Sequence, residues 1–266
     1  WDAKWQVPNV GVEGLQARVG HIADFIYGNP SQDLWLAGVT GTNGKTSCAL
    51  WIAQALDACG RRAGVLGTLG NGLVGALAPA SHTTPDATVL HELLRQFAAA
   101  GAEAVAMEVS SHGLDQGRAN GARIDVALFT NLTRDHLDYH RTMAEYGAAK
   151  AKLFAWPGLA TAVINADDPF GQSLIDAARA RGQRVLTVSL TNGDIVAHGL
   201  TTDQRGIHLD IGTPWGRARL FAPVVGLFNA QNLLGVLGVL LASDVPLADA
   251  VAALAQLSPP PGRMQR

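Results

Sequence analysis

The chain has 266 residues, 48% of them hydrophobic, with 20 Lys and Arg against 22 Asp and Glu, a net charge of −2. This is enough for one large domain or one domain plus pieces, and it carries no basic footprint for nucleic acid or for a membrane surface. No apolar run reaches the roughly 20 residues of a membrane-spanning helix, and the opening Trp1-Asp-Ala-Lys-Trp-Gln has no signal-peptide core, so a cytoplasmic, reducing location is expected.

Residues 1–32 read as the tail of something larger, a remnant too small for its own domain, with a short strand at 7–10 and a helix at 12–27. In that helix Val12, Leu15, Val19, Ile22, Ala23 and Ile26 form one apolar stripe. The first residue is not Met, which suggests a fragment. An apolar strand at 34–39 then runs into Gly38-Val-Thr-Gly-Thr-Asn-Gly-Lys-Thr46, followed by a helix over 47–59. Cys48 and Cys59 both fall in this helix and read as packing residues.

Strand, glycine loop, Gly-Lys-Thr and helix form the setting of a phosphate-binding loop. The common G-x-x-x-x-G-K-[ST] pattern needs Gly at position 39, which is Val here, and the spacing is G-x-x-G-x-x-G-K-T. Glycines let backbone N–H groups close on phosphate oxygens, the helix N-terminus adds its dipole, Lys45 a cation and Thr46 an oxygen for Mg²⁺. A glycine turn with a solvated lysine is the competing reading, and the flanking elements weigh against it.

A second strand is expected at 62–67, a flexible stretch around Gly70, Gly72 and Gly75, and a helix over 85–100 with Thr84 as N-cap. Strands follow at 104–109, 124–130, 161–165 and 184–188, with helices at 142–154 and from Pro169 to about 181. This βα alternation implies an open, mostly parallel sheet whose ligands lie at the strand C-termini. Short strands at 195–200, 206–212 and 217–221 read as an antiparallel edge meander. Helices at 229–242 and 246–257 complete a central domain over 33–258, and 259–266 reads as a stiff linker to a further domain.

Glu108 ends an apolar strand beside the loop, where a carboxylate can hold Mg²⁺. The segment 131–140 is dense in polar groups, and His136 is a candidate ligand of a second Mg²⁺, although imidazole is an unusual partner for so hard a cation. Lys150 sits among small residues, and the residues alone assign it no role. Thr83, Thr84, Ser110, Gln116 and Arg118 supply donors and a cation that suit an anionic, hydrogen-bonding substrate.

Taken together, several motifs resemble the Mur ligases, the ATP-dependent amino-acid-adding enzymes of peptidoglycan synthesis. They are Gly41-Thr-Asn-Gly-Lys-Thr46, Thr83-Thr-Pro85, Met107-Glu-Val-Ser-Ser-His112 with Gln116 and Arg118, Asn131-Leu-Thr-Arg-Asp-His-Leu-Asp-Tyr-His140, Ala148-Ala-Lys150, Asn165-Ala-Asp-Asp168 and Gly226-Leu-Phe-Asn-Ala-Gln-Asn232. The Ser-Ser-His and Arg-Asp-His-Leu-Asp-Tyr-His versions are most similar to the MurE-type branch, which adds the third residue of the stem peptide. The Gly38-x-x-Gly41 spacing also belongs to this family.

The resemblance implies ATP and Mg²⁺ as cofactors. Gly41, Thr42, Asn43, Gly44, Lys45, Thr46 and Ser47 would cradle phosphate, Asn229 and Asn232 would lie near adenine, and Arg263 would reach the phosphates. The family usually has Glu after Met264, and this chain has Gln265. Thr46, Glu108, His136 and a carbamylated Lys150 would be metal ligands, with Lys45, His136 and Lys150 catalytic. Thr83, Thr84, Ser110, Gln116 and Arg118 would contact UDP-MurNAc-dipeptide, and the incoming amino acid would be meso-diaminopimelate or L-lysine. The resemblance also implies a monomer acting on small molecules, with no nucleic acid or membrane partner. Residues 1–266 are expected to bind nucleotide weakly and not to complete ligation. A folylpolyglutamate-synthetase-like ligase and a non-catalytic nucleotide-binding module are the rival readings.

Overall fold

The computed structural model describes Lys4 and residues 11–260. The strand expected at 7–10 and Arg263 lie outside the described residues. Helix α1 (Leu15–Ile26) leads to β1 (Trp35–Thr40), α2 (Lys45–Ala58), β2 (Ala63–Gly67), β3 (Gly70–Leu73) and β4 (Ala76–Ala78). Next come α3 (Ala87–Ala99), β5 (Ala104–Glu108), α4 (Ser111–Asp115), β6 (Val126–Phe129), α5 (Leu137–His140) and α6 (Met143–Ala151). The chain continues through β7 (Thr161–Asn165), α7 (Pro169–Ala180), β8 (Arg184–Ser189), β9 (Ile195–Thr202), β10 (Ile207–Thr213) and β11 (Gly216–Ala222), and closes with α8 (Phe228–Ala242) and α9 (Leu247–Leu254).

Among the described residues the strands form one sheet in the order β11-β10-β9-β8-β7-β6-β1-β5-β2-β3-β4. Its six central strands, β8 to β2 in that order, are parallel. β9, β10 and β11 form the expected antiparallel meander at one edge. Both faces of the parallel strands are covered, so each strand splits its apolar side chains between two cores at period two. Ala37 and Val39 of β1, Ala106 of β5 and Leu128 of β6 face α2, α8 and α9. Leu36, Met107 and Phe129 face the opposite core with α3 and Phe154. A fully buried Leu or Phe of this kind contributes about 1.5–3 kcal/mol.

Three expectations fail, each for a local reason. The stretch at Gly70–Gly75 is not loose, because β3 and β4 form an antiparallel hairpin on β2. A Cβ on Gly70 or Gly72 would meet the Ala78 or Ala76 carbonyl oxygen of the partner strand at 2.4 and 2.2 Å, so these glycines permit a close approach. The apolar stripe of α1 is largely unburied, with Leu15, Ile22 and Ile26 exposed at 52%, 39% and 70%. Of that stripe Ala23 is buried, and beside it lie Gly20, against the Asn120 backbone, and Asp24, whose carboxylate is 3.2 Å from the buried His91 of α3. Thr84 is not the cap of α3. Asp86 holds that position without a side-chain capping bond, its carboxylate lying 3.4 Å from Arg118 Nε, and the Thr84 hydroxyl donates to the Glu108 carbonyl at 2.9 Å.

In register, Val39 of β1 lies opposite Glu108 of β5 on one side and Leu128 of β6 on the other. The C-terminal ends of three neighbouring strands therefore meet at one sheet edge, where the loop between β1 and α2 begins.

Candidate active site

The loop leaves β1 at Gly41 and enters α2 at Lys45. Gly44 has φ 87°, a region costing other residues about 1–2 kcal/mol, and a Cβ there would lie 2.4 Å from Asn232 Oδ1. Asn131 fixes the loop by accepting from the Thr42 N–H through its carbonyl (2.8 Å) and from the Asn43 N–H through its side chain (3.0 Å). Thr130 Oγ1 donates to the Asn43 carbonyl at 2.6 Å. With those amides engaged, the first turn of α2 presents its N-terminal end to the loop, and a helix N-terminus is an anion-binding end. Gly44→Ala is expected to weaken binding of a non-hydrolysable ATP analogue by roughly tenfold in calorimetry, because either the loop or Asn232 must move.

One side of the loop opens onto a cleft of about 360 Å³, lined by Lys45, Thr46, Glu108, His136 and Lys150 together with Thr83, Thr84, Ser110 and Arg118. Residues from five separate stretches of sequence thus reach one cavity. Lys45 Nζ donates to the carbonyls of Gly41 and Thr42, both at 2.9 Å, and is held against its own loop. Glu108 is buried at the end of β5. It accepts from Thr46 Oγ1 (2.9 Å) and from the Thr68 N–H (2.7 Å). Gln116 does not line the cleft. Its Oε1 accepts from Arg118 Nε at 2.8 Å and orients the guanidinium, which also donates to the Thr84 carbonyl at 3.0 Å. The Thr84 hydroxyl accepts from the Ser110 N–H at 2.9 Å, so its bonds tie the cleft wall together.

Lys150 is only 1% exposed. Its Nζ donates to the Gly41 carbonyl at 2.8 Å and lies 4.4 Å from the Tyr146 ring centre. Burial, and after it the charge of Lys45, pushes its pKa down to about 6 against a weaker opposing pull from Asp135. Its ammonium form is therefore disfavoured relative to that of an ordinary lysine. His136 caps α5 with φ 50°, an uncommon conformation for a side-chain-bearing residue and one that clusters at functional sites. Its ring stands 5.0 Å edge-on from His112, and burial lowers the pKa of His112, with His136 and His140 adding to the effect.

The cleft chemistry fits a hard cation. Thr46 and Glu108 supply adjacent oxygens. No group of three His, Cys, Asp or Glu side chains close enough to hold a metal exists among the described residues. A site using Glu108 and His136 thus needs a further ligand of another kind, and Thr46 and Lys150 line the same cleft.

A second cavity of about 760 Å³ flanks the loop on its other side. Asn43, Gly44, Ser47, Asn229 and Asn232 line it. Asn232 Nδ2 donates to Asn229 Oδ1 at 3.0 Å, and Asn229 Nδ2 donates to the Val225 carbonyl at 2.7 Å. Sequence reasoning missed the apolar part of this wall, Trp51, Val224, Phe228, Pro259 and Pro260. It also missed Tyr146, which is fully buried, shares a 3.2 Å hydrogen bond with the Thr42 hydroxyl and lies beneath Lys150. Its signal was the four-residue spacing from Lys150, which stacks the two on one helix face. Thr68 was legible by the rule that selected Glu108, a polar residue just past the end of a parallel strand.

Residues 39–240 match the family model described as Mur ligase middle domain. The chain is 48% identical over 265 residues to the UDP-N-acetylmuramoyl-L-alanyl-D-glutamate--2,6-diaminopimelate ligase of Chromobacterium violaceum, covering 100% of this chain and 54% of the relative. It is 50% identical to the enzyme of the same name from Pseudomonas aeruginosa, over 97% of this chain and 53% of that one. A solved structure of a ligase of this name superposes with a TM-score of 0.87 at 35% identity, over 97% of this chain and 55% of the other. The chain thus spans about half the length of the curated relatives it matches. Its central sheet, phosphate loop and polar strand ends are the matched region, and the chain belongs to the Mur ligase family through its middle domain.

Proposed function

We propose that this chain is the ATP-binding, carboxylate-activating part of a ligase that adds the third amino acid to UDP-MurNAc-L-Ala-D-Glu in peptidoglycan synthesis. The observation that carries this reading is the convergence of Lys45, Thr46, Glu108, His136 and Lys150 on the cleft that Thr83, Ser110 and Arg118 also line. The names of relatives similar over the whole chain favour 2,6-diaminopimelate over lysine as the incoming amino acid. Within this reading, residues 33–258 are the central domain, 1–32 belong to a preceding unit and 259–266 lead to a further one. The enzyme acts as a cytoplasmic monomer; no helix among the described residues is long and apolar enough to cross a membrane.

Lys45 exchanges its two carbonyl partners for the γ-phosphate, and Arg118, oriented by Gln116, anchors the acidic dipeptide. The substrate carboxylate attacks the γ-phosphorus to give an acyl phosphate and ADP. The amine of the incoming amino acid then displaces phosphate, closing the amide bond. Asn229 and Asn232 border the nucleoside cavity, and Arg263 is the residue that the family resemblance assigns to the phosphates. The Lys150 amine takes up CO₂: its lone pair forms the N–C bond, a C=O electron pair moves onto oxygen, and one N–H proton leaves to solvent. The resulting carbamate, with Thr46, Glu108 and His136, would hold Mg²⁺, which supplies charge compensation for the phosphates.

The full-length protein is expected to consume ATP only when UDP-MurNAc-dipeptide and 2,6-diaminopimelate are both present, as measured by phosphate release. Turnover with folate and glutamate but none with the muramyl substrate would refute the assignment.

A further inference from the structure

Trp51 and Gln54 stand three residues apart on α2 and face the stretch after α9. The Trp51 indole N–H donates to the Ser258 carbonyl at 3.1 Å, and the Ser258 N–H donates to Gln54 Oε1, also at 3.1 Å. Ser258 lies outside any helix or strand. Both of its backbone polar groups are nonetheless satisfied, by two side chains of the helix that carries Lys45 and Thr46. Pro259 and Pro260 follow directly. Proline fixes φ and offers no N–H, so the direction set at Ser258 carries into the next two residues. Those two prolines, with Trp51, form part of the wall of the 760 Å³ cavity that Asn229 and Asn232 also line. Trp51 is itself 1% exposed, so its indole is a fixed support.

We propose that Trp51 and Gln54 are positioning residues that clamp Ser258, so that Pro259 and Pro260 form the apolar wall against which the nucleoside of the bound nucleotide packs. The proposal rests on the nucleotide-binding reading given above and adds a division of labour within it. The N-terminus of α2 holds the phosphates, while two side chains farther along the same helix set the nucleoside wall. Phosphate affinity is therefore independent of the clamp, and nucleoside affinity depends on it. By reciprocity, a bound nucleotide tightens the clamp.

The test compares the full-length protein with Trp51→Phe, Gln54→Ala and Gln54→Glu. Calorimetry uses two probes, a non-hydrolysable ATP analogue and inorganic triphosphate. Trp51→Phe and Gln54→Ala are expected to raise the analogue Kd by roughly five- to tenfold, the scale of one hydrogen bond, and to leave triphosphate binding unchanged. Gln54→Glu keeps an acceptor oxygen for the Ser258 N–H and is expected to restore analogue binding. In the unmutated protein, exchange of the Ser258 amide hydrogen is expected to slow when the analogue is added and not when triphosphate is. If the unmutated protein binds neither probe, the nucleotide-binding reading falls and the clamp with it. If it binds both, and Trp51→Phe and Gln54→Ala bind the analogue as tightly as it does, the clamp alone is refuted. Equal weakening toward both probes also overturns it, because the two residues would then support the helix as a whole.

Discussion

Lys150→Ala is expected to lower turnover of the full-length ligase by about 10³-fold, the scale on which removing one group that stabilises transition-state charge acts. The side chain is buried, its amine is within 2.8 Å of the Gly41 carbonyl, and its pKa lies at about 6. An ordinary lysine is almost wholly ammonium at neutral pH and lacks the lone pair that attacks CO₂. At Lys150 that lone pair is available above about pH 6, so ¹³C-bicarbonate should give a carbamate resonance at pH 7–8 that disappears as the pH falls through 6. Added short-chain carboxylates should restore part of the activity of Lys150→Ala by supplying an anion where the carbamate stood. Lys150→Arg should remain inactive, since guanidinium stays cationic. High activity in Lys150→Arg would rule out the metal-bridging role. The same depressed pKa has a thermodynamic sign. Between about pH 6 and the ordinary lysine value of 10.5, the unfolded chain binds a proton that the folded chain does not, so this group's contribution to folding stability rises with pH across that window.

Glu108→Gln should cost about 10²- to 10³-fold in turnover and leave the fold intact. The amide oxygen still accepts from the Thr68 N–H, and the amide nitrogen can donate to Thr46 once that hydroxyl hydrogen turns away. What is lost is the negative charge facing the cation. The Mg²⁺ concentration for half-maximal turnover should therefore rise by about ten- to a hundredfold, the range seen when a metal site loses one supporting group. Glu108→Ala separates this from packing. It strips partners from the Thr46 hydroxyl and the Thr68 amide, each costing about 1–3 kcal/mol, and should lower the melting temperature as well. Full turnover of Glu108→Gln at low Mg²⁺ would exclude Glu108 as a metal ligand.

The parallel sheet and the phosphate loop were legible because their signals are local. Residues 34–46 carry an apolar run, a glycine spacing and a helix start in immediate succession. Glu108 was legible from its place at a strand end, whereas Tyr146 resembles any core aromatic until α6 is seen against Thr42. The nucleoside-side wall was hidden because Trp51, Phe228 and Pro259 come from three distant stretches: a helix interior, a motif read for its asparagines, and a linker. The hairpin at Gly70 and Gly72 was misjudged because glycine serves a loose turn and a close strand contact equally, and only the Ala76 and Ala78 carbonyls decide between them. The stripe on α1 showed that helical periodicity locates an apolar face without saying what covers it.

The placement of β1 between β5 and β6 also bears on how the protein is made. Both ladder partners of β1 come later in the chain, and the Leu36 N–H must wait for Asp125, 89 residues farther on. At a synthesis rate of about 10 residues per second, that wait lasts several seconds. The β2–β3–β4 hairpin can pair locally in the meantime, but it adjoins β5 rather than β1 and gives β1 no shelter. A nascent chain halted before β6 therefore presents the apolar Trp35–Thr40 segment as an open strand edge, the kind that recruits other chains. Asn131, which holds the Thr42 and Asn43 amides, emerges just after β6. The residues that close this edge and those that hold the Thr42 and Asn43 amides thus leave the ribosome almost together, so the phosphate loop takes its shape at the stage of synthesis that protects β1 from aggregation.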